Sequence, residues 1–257
     1  MIAPSVSPCL GIVDWGIGGV GLVRALDQVA PGLPVLYWSD AGVTPYGRMQ
    51  VDELANRLTT VVAALTARGA TEAVLGCNAA STVAGRLGAA TIPVEGIIGH
   101  GLASVPEDIT GPVGVVGGRR TILAGQYRRG LARRGQVVLS RVAQPLSAHV
   151  EAGRTGSPEF RADLARILTP LQRVDALVLA CTHYPAARDW FAAALPNALL
   201  IDPAERLAAA IAQRYPHTRK TSRRGMRVFL TTGDPEAMRR GAAHAWGTAL
   251  TAKVVRA

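Results

Sequence analysis

Hydrophobic and polar positions along the 257 residues follow two alternating patterns. Short apolar runs such as Leu10–Asp14 and Val35–Asp40 predict buried strands, because a strand covered on both faces has no polar side. Between them, Val20–Val29 and Val51–Arg68 repeat apolar residues at helical spacing. The same patterns predict strands over 73–76, 92–94, 112–117, 137–139 and 176–180, and helices over about 80–87, 121–134 and 157–171. This order predicts an α/β fold with mainly parallel sheets and crossover helices.

The second half of the chain echoes the first. Ile12-Val13-Asp14 lies about 103 residues before Val115-Val116-Gly117, and Cys77 lies 104 positions before Cys181. A common offset predicts two pseudo-symmetric lobes that face each other, with the active site at the lobe interface. The predicted division is an N-terminal lobe over 1–105, a second lobe over 106–210 and a C-terminal segment over 211–257 that packs back on the first lobe.

Composition and charge limit the class of protein. With 49% hydrophobic and 18% charged residues the chain is typical of a globular protein, and no run approaches the ~20 apolar residues of a membrane span. Met1–Leu10 lacks the basic region and apolar stretch of a signal peptide, so we expect a cytoplasmic protein without membrane partners. The formal charge of +10 is concentrated in Arg119–Arg141 and Arg214–Arg240 and favours anionic partners. Because aromatic residues make up only 5%, we do not expect nucleic-acid binding as the main function.

Two cysteines carry the candidate chemistry. Cys77 and Cys181 each end an apolar run and are followed by a polar residue, Asn78 or Thr182. This places the sulfurs at the carboxyl edge of a sheet, where α/β proteins bind ligands, and beside a helix start, which favours the thiolate. The alternative is a pair of buried structural thiols. Two thiols from facing lobes suit racemisation, in which one base removes a proton from one face of a carbon and an acid delivers a proton to the other.

A glycine-rich turn offers a competing interpretation. Gly16-Ile17-Gly18-Gly19-Val20-Gly21 follows a strand and precedes a helix, and Asp40 ends the next strand, as in dinucleotide-binding folds. Asp14 and Trp15 would crowd a pyrophosphate there, however, and this interpretation leaves both cysteines without a role. The five histidines are scattered without metal-ligand spacing, so we expect no metal site.

Several segments together resemble glutamate racemases, members of the cofactor-independent aspartate/glutamate racemase superfamily. The segments follow the family's order and spacing: Asp14-Trp15-Gly16-Ile17-Gly18-Gly19, Asp40 to Gly47 with its Pro45-Tyr46-Gly47, Cys77-Asn78-Ala79-Ala80-Ser81, Gly117 to Tyr127, Val150-Glu151-Ala152-Gly153, Cys181-Thr182-His183-Tyr184-Pro185 and Thr231 to Pro235. The resemblance covers nearly the whole chain.

The resemblance implies a role for each matching position. Cys77 and Cys181 match the two catalytic thiols, Asp14 matches an acid beside the first, and Glu151 and His183 match polar groups beside the second. The remaining matches are substrate-binding positions: Trp15, Pro45, Tyr46, Gly47, Asn78, Ala79, Gly118, Thr121 and Thr182. The implied substrate is a free amino acid, and the implied reaction needs no cofactor. The sequence leaves open whether the protein forms a homodimer.

Three positions depart from the family pattern. Trp15 stands where the family has serine, and Ala79 and Gly118 stand where it has threonine. Each replacement removes a hydroxyl near the substrate, and a lost hydrogen bond to a charged group costs about 1.5–3 kcal/mol. The resemblance favours glutamate, with D-glutamate supplied for peptidoglycan. Two alternatives stay open: a racemase of specialised metabolism for aspartate or a less polar amino acid, and a basic binding protein without turnover.

Overall fold

The computed structural model describes residues 8–88, 90–219, 221, 223–250 and 253–256. Residues 1–7, which make up most of the segment expected to lack a signal peptide, lie outside the described residues. None of the helices in the described part of the chain is long and apolar enough to cross a membrane. The described chain folds into two parallel sheets with helices on their faces, which confirms the predicted α/β class.

The strands alternate with helices along the chain. The strands are β1 Leu10–Asp14, β2 Val35–Ser39, β3 Glu72–Leu75, β4 Val94–Gly96, β5 Val113–Gly117, β6 Val138–Val142, β7 Ala176–Ala180, β8 Leu199–Ile201, β9 Arg227–Thr231 and β10 Lys253–Arg256. The helices are α1 Val20–Val29, α2 Val51–Ala67, α3 Asn78–Ser81, α4 Ile97–Ala103, α5 Arg119–Ala124, α6 Gln126–Ala132, α7 Gln144–Glu151, α8 Pro158–Leu168, α9 Arg188–Ala194, α10 Pro203–Arg214 and α11 Pro235–Trp246.

The two sheets repeat one strand order. The first runs β10-β9-β2-β1-β3-β4 and the second runs β6-β5-β7-β8, so that the order β2-β1-β3-β4 recurs in the second sheet. The registers correspond as well, because Leu10 of β1 lies opposite Val35 and Val113 of β5 lies opposite Val138. The echo in the sequence therefore reflects two lobes of the same topology. The C-terminal strand β9 pairs with β2 of the first sheet, while the predicted residue boundaries of the three segments stay a prediction.

The central strands of both sheets are buried on their two faces. Adjacent residues of a strand point to opposite faces, and in β1 Ile12 packs in the cluster formed with α1, α10 and α11 while Val13 packs in the cluster formed with α2. In β5, Val115 and Val116 divide in the same way between two clusters. Burial on both faces explains why the strands are continuously apolar, and it leaves the strand ends as the place where polar side chains gather.

Several predicted elements differ from the observed ones. The helix predicted over 121–134 is two helices, α5 and α6, because Gly125 adopts a left-handed conformation (φ +64°) that ends the first. The helix predicted over 80–87 is α3 followed by a 3₁₀ turn at Ala84–Arg86, and the strand predicted over 92–94 is β4, two residues later. Helix α8 ends at Leu168 and continues as a 3₁₀ turn. The elements that were not predicted are helices α4, α7, α9, α10 and α11 and strands β8, β9 and β10. Among them, α7 carries Glu151.

Candidate active site

The carboxyl ends of the central strands of both sheets open on one cavity of about 720 Å³. This lies within the range of small-molecule sites, about 300–1,000 Å³. Every position that the resemblance assigns to a site lines this cavity: Asp14, Trp15, Pro45, Tyr46, Gly47, Cys77, Asn78, Ala79, Gly118, Thr121, Glu151, Cys181, Thr182 and His183. The fold thus brings all of them together from the two lobes, while their individual roles stay a prediction.

A carboxylate, an imidazole and a thiol form a chain on the side of the second lobe. Glu151 Oε1 lies 2.6 Å from His183 Nε2, and His183 Nδ1 lies 3.7 Å from Cys181 Sγ. The backbone N–H of Ile17 in the first lobe donates to the same Glu151 oxygen (3.2 Å). His183 is only 6% exposed, and its burial disfavours a charge, but its contacts with Cys181 and Glu151 raise its pKa well above the usual value. This arrangement can hold a proton next to Cys181.

A buried carboxyl group accompanies the other thiol. Asp14 is 1% exposed and its Oδ1 accepts a hydrogen bond from the backbone N–H of Gly16 (3.1 Å). Its Oδ2 has no hydrogen-bond partner among the described residues, and burial raises the pKa of this carboxyl. Burial and the charge of Asp14 also raise the pKa of Cys77. The helix start that was expected to favour a thiolate at Cys77 is therefore outweighed, since α3 is only four residues long and the half-buried thiol is desolvated and lies near the charge of Asp14.

The glycines of the turn after β1 make room for side chains of the second lobe. A Cβ on Gly16 would lie 2.1 Å from Glu151 Oε1, and a Cβ on Gly18 would lie 2.3 Å from Thr182 Oγ1. Gly21, in α1, instead makes room within the first lobe, where its Cβ would lie 2.5 Å from the ring of Trp246 in α11. The motif that resembles a pyrophosphate-binding loop thus lets the two lobes approach closely, and the structure gives it a use that requires no nucleotide.

Asp40 organises the loop at Pro45-Tyr46-Gly47. It accepts hydrogen bonds from the Tyr46 hydroxyl (2.8 Å), from Arg57 Nε (2.8 Å), from Trp38 Nε1 (3.2 Å) and from Thr232 Oγ1 (3.1 Å). Burial alone would raise the pKa of Asp40, but the hydrogen bonds from Arg57, Trp38 and Tyr46 hold it below its usual range. Because this carboxylate is fully buried and satisfied by protein donors, it is not available to a ribose.

Hydrogen bonds within the protein orient the side chains of Asn78 and Trp15, two of the positions implied to bind substrate. The Tyr127 hydroxyl donates to Asn78 Oδ1 (2.8 Å), and no described residue accepts a hydrogen bond from the Asn78 amide nitrogen, which leaves it free to donate to a ligand. The Trp15 indole N–H donates to the backbone oxygen of Val43 (3.1 Å). Trp15 therefore presents an apolar wall to the cavity, and its only donor points to the protein.

Sequence reasoning missed a further set of cavity residues: Arg48, Arg119, Arg120, Gln144, Ser147, Ala148, Ala152 and Ala180. Gln144 Oε1 accepts the backbone N–H of Arg119 (3.2 Å) and lies 3.0 Å from where a Cβ on Gly118 would be. Gln144 thus occupies space beside the position that a side chain at residue 118 would take. Gln144, Ser147, Ala148 and Glu151 recur at the spacing of one helix face, so a prediction of α7 would have found them.

Several known proteins similar to this chain are racemases. A family model described as Asp/Glu/Hydantoin racemase matches residues 10–211. A glutamate racemase of Mycolicibacterium paratuberculosis is 33% identical, with 94% of each chain covered, and one of Desulforudis audaxviator is 35% identical over 76% of this chain and 74% of the other. Among solved structures, a glutamate racemase of Bacillus anthracis superposes with a TM-score of 0.87 at 25% identity, covering 97% of this chain and 98% of that one.

Proposed function

Since the chain belongs to the Asp/Glu/Hydantoin racemase family and is thus an isomerase, we propose that it interconverts L- and D-glutamate by proton transfer at Cα. The observation that carries the proposal is the pair of thiols in one cavity, each with its own acid–base partner. Cys77 has Asp14, and Cys181 has His183 backed by Glu151. The sequence relatives named as glutamate racemases support glutamate as the substrate, and the product D-glutamate would serve peptidoglycan synthesis.

In the proposed reaction one sulfur acts as thiolate and takes the proton from Cα, which leaves an electron pair on that carbon. The other sulfur, as thiol, gives its proton to the opposite face, so the S–H bond that breaks is matched by the new C–H bond. The reverse reaction exchanges the two roles. The raised pKa of Cys77 helps here, because a thiolate of high pKa is the stronger base toward a weakly acidic C–H bond.

The proposed intermediate is a carbanion, which the cavity must stabilise without delocalisation into a cofactor. The candidate donors are the Asn78 amide and the Thr182 hydroxyl, together with backbone N–H groups beside them. Donors fixed before the reaction begins are effective in a cavity with little water, because they need not reorganise as charge develops. Asp14 and His183 would hold or accept the proton that each sulfur exchanges.

The test uses L-glutamate in deuterated water. Optical rotation follows racemisation, and proton NMR follows loss of the Cα–H signal. We expect the wild type to do both, and Cys77→Ser and Cys181→Ser each to abolish racemisation, because turnover in either direction uses both sulfurs. Cys9→Ala is the matched control, since Cys9 is buried in the core of the first lobe and does not line the cavity.

Full racemisation by either serine variant, with a wild-type circular dichroism spectrum, would contradict the two-thiol mechanism. A wild type that exchanges another amino acid but not glutamate would contradict the proposed substrate.

The second candidate, a family member with altered specificity, is supported by the apolar wall of Trp15 and by the missing hydroxyls at Ala79 and Gly118. The same exchange measurement over a panel of L-amino acids identifies its substrate.

A further inference from the structure

Arg120 in the cavity wall connects the two lobes by hydrogen bonds and has no acidic partner among the described residues. Arg120 belongs to α5 of the second lobe, and its Nε donates to the backbone oxygen of Tyr46 (2.9 Å) in the first lobe. Its Nη2 donates to the backbone oxygen of Met49. None of the ion pairs among the described residues includes Arg120. The side chain thus crosses between the lobes and ends on the loop at Pro45-Tyr46-Gly47.

No acidic side chain in the described part of the chain compensates the charge of this guanidinium. Arg120 is partly buried, and burial lowers its pKa, while an ionised Cys77 acts in the opposite direction. An arginine stays protonated in proteins and carries five N–H donors. Two carbonyl oxygens use two of them, and no described residue accepts a hydrogen bond from Nη1. A partly desolvated cation without a counter-ion is unfavourable, so this guanidinium would stabilise an anionic ligand in the cavity.

Arg120 contacts the part of the cavity wall where this chain lacks hydroxyl groups that the family pattern has. Trp15, Ala79 and Gly118 carry no free hydroxyl toward the ligand, and the loop that Arg120 touches is the one matched to the substrate side chain. We propose that Arg120 binds the side-chain carboxylate of the substrate and makes the enzyme selective for acidic amino acids. The proposal rests on the proposed racemase function and deepens it by naming the residue that recognises the side chain.

Two neighbouring arginines do not share this geometry. Arg48 and Arg119 also line the cavity, but both are exposed to solvent, and neither side chain forms a hydrogen bond or ion pair with a described residue. Solvent and salt screen exposed charges strongly. Arg119 therefore offers a matched control, because it is adjacent in sequence, lines the same cavity and carries the same charge.

The experiment compares Arg120→Met, Arg120→Lys and Arg119→Met. For each protein we measure kcat and KM with L-glutamate, together with Cα–H exchange of L-glutamine, which is a neutral amide of nearly the same shape. We expect Arg120→Met to raise KM for glutamate by about 10- to 100-fold, as for a lost hydrogen bond to a charged group. Glutamine should be affected less than threefold, so the preference for glutamate collapses. Arg120→Lys should restore part of the preference, and Arg119→Met should leave it near that of the wild type.

If the wild type exchanges the Cα–H of glutamine too slowly to follow, we measure instead the inhibition constant of glutamine against glutamate racemisation. An equal loss with both compounds, together with a lower thermal midpoint, would show that Arg120 only joins the lobes and would overturn the proposal. So would an unchanged KM for glutamate in Arg120→Met. A wild type active on aspartate but not glutamate would contradict the proposed substrate and support the role of Arg120. Activity on neutral amino acids alone would contradict both.

Discussion

Replacing Glu151 with glutamine tests whether the imidazole beside Cys181 works as a charged group. Glutamine keeps the size of the side chain and can still hydrogen-bond, but it carries no charge. Glu151 Oε1 lies 2.6 Å from His183 Nε2, and this carboxylate is one of the groups that raise the pKa of His183. We therefore expect Glu151→Gln to lower that pKa and to slow racemisation while leaving the fold intact.

The size of the effect follows from the geometry. At 2.6 Å, Coulomb's law gives about 6 kcal/mol for an effective dielectric constant of ~20. The Glu151 side chain is 29% exposed, so solvent screens this value, and the measured range for hydrogen bonds to charged groups, about 1.5–3 kcal/mol, is the better guide. Since 1.36 kcal/mol corresponds to one pKa unit, the pKa of His183 should fall by about 1–2 units.

The assay is kcat/KM for glutamate against pH in both directions. In the wild type, His183 stays protonated through neutral pH and loses its charge only as the pH rises through its raised pKa. In Glu151→Gln the alkaline loss of activity should begin about 1–2 units lower, and kcat at neutral pH should fall at least about tenfold. The stabilisation from protonated His183 is full below its unfolded pKa of about 6.5 and fades as the pH rises through the folded value, so the variant should lose most stability at acidic pH.

A second histidine–carboxylate pair provides the control. His149 Nε2 lies 3.3 Å from Asp163 Oδ2, between α7 and α8, and neither residue lines the cavity. Asp163→Asn removes the same charge and should leave the pH profile unchanged. A Glu151→Gln enzyme with the wild-type kcat and pH profile would refute the reasoning, because His183 would then not depend on its partner's charge.

Two further predictions concern the cavity wall and its supporting loop. Trp15→Ser combined with Ala79→Thr should raise kcat/KM for glutamate tenfold or more, since about 1.4 kcal/mol of recovered transition-state binding is sufficient; an unchanged or lower value would mean that Trp15 does not determine specificity. Asp40→Asn should lower the free energy of unfolding in urea at pH 7 by about 2–3 kcal/mol, because its arginine partner loses its counter-charge. The pKa of Asp40 is lowered, so this stabilisation is present above about pH 4 and is lost as the pH falls through the folded value. A wild-type–variant difference that stays constant down to pH 2 would contradict this account.

The sequence predicted strands β1 to β7 and the placement of Cys77 and Cys181 in one cavity, because both depend on local patterns. Strands β8 to β10 were not predicted. A buried parallel strand is apolar throughout, and a residue at its carboxyl end lies at the edge where ligands bind. The break at Gly125 was missed, since a glycine inside a helical pattern does not reveal whether its φ is positive. Helix α7 was missed because its apolar residues are few and its ends carry no strong cap.

Arg120 could not be singled out for a different reason. It is one of seven arginines between positions 119 and 141, and the sequence gives all of them the same charge. Only the packing of α5 against the first lobe directs this side chain to the backbone oxygens of Tyr46 and Met49. The contact between Gly18 and Thr182 is likewise set by the approach of two lobes that are distant in sequence.

The pairing of β9 with β2 affects the order in which the protein can fold during synthesis. All strands of the second sheet come from one continuous stretch, residues 113–201, so that sheet can form as soon as this stretch leaves the ribosome. In the first sheet Val35 pairs with Arg227, and β2 remains an open edge until the last part of the chain is made. Contacts of such sequence separation form slowly. A nascent chain would therefore carry a finished second lobe beside a first lobe whose sheet is completed only after β9 has been made.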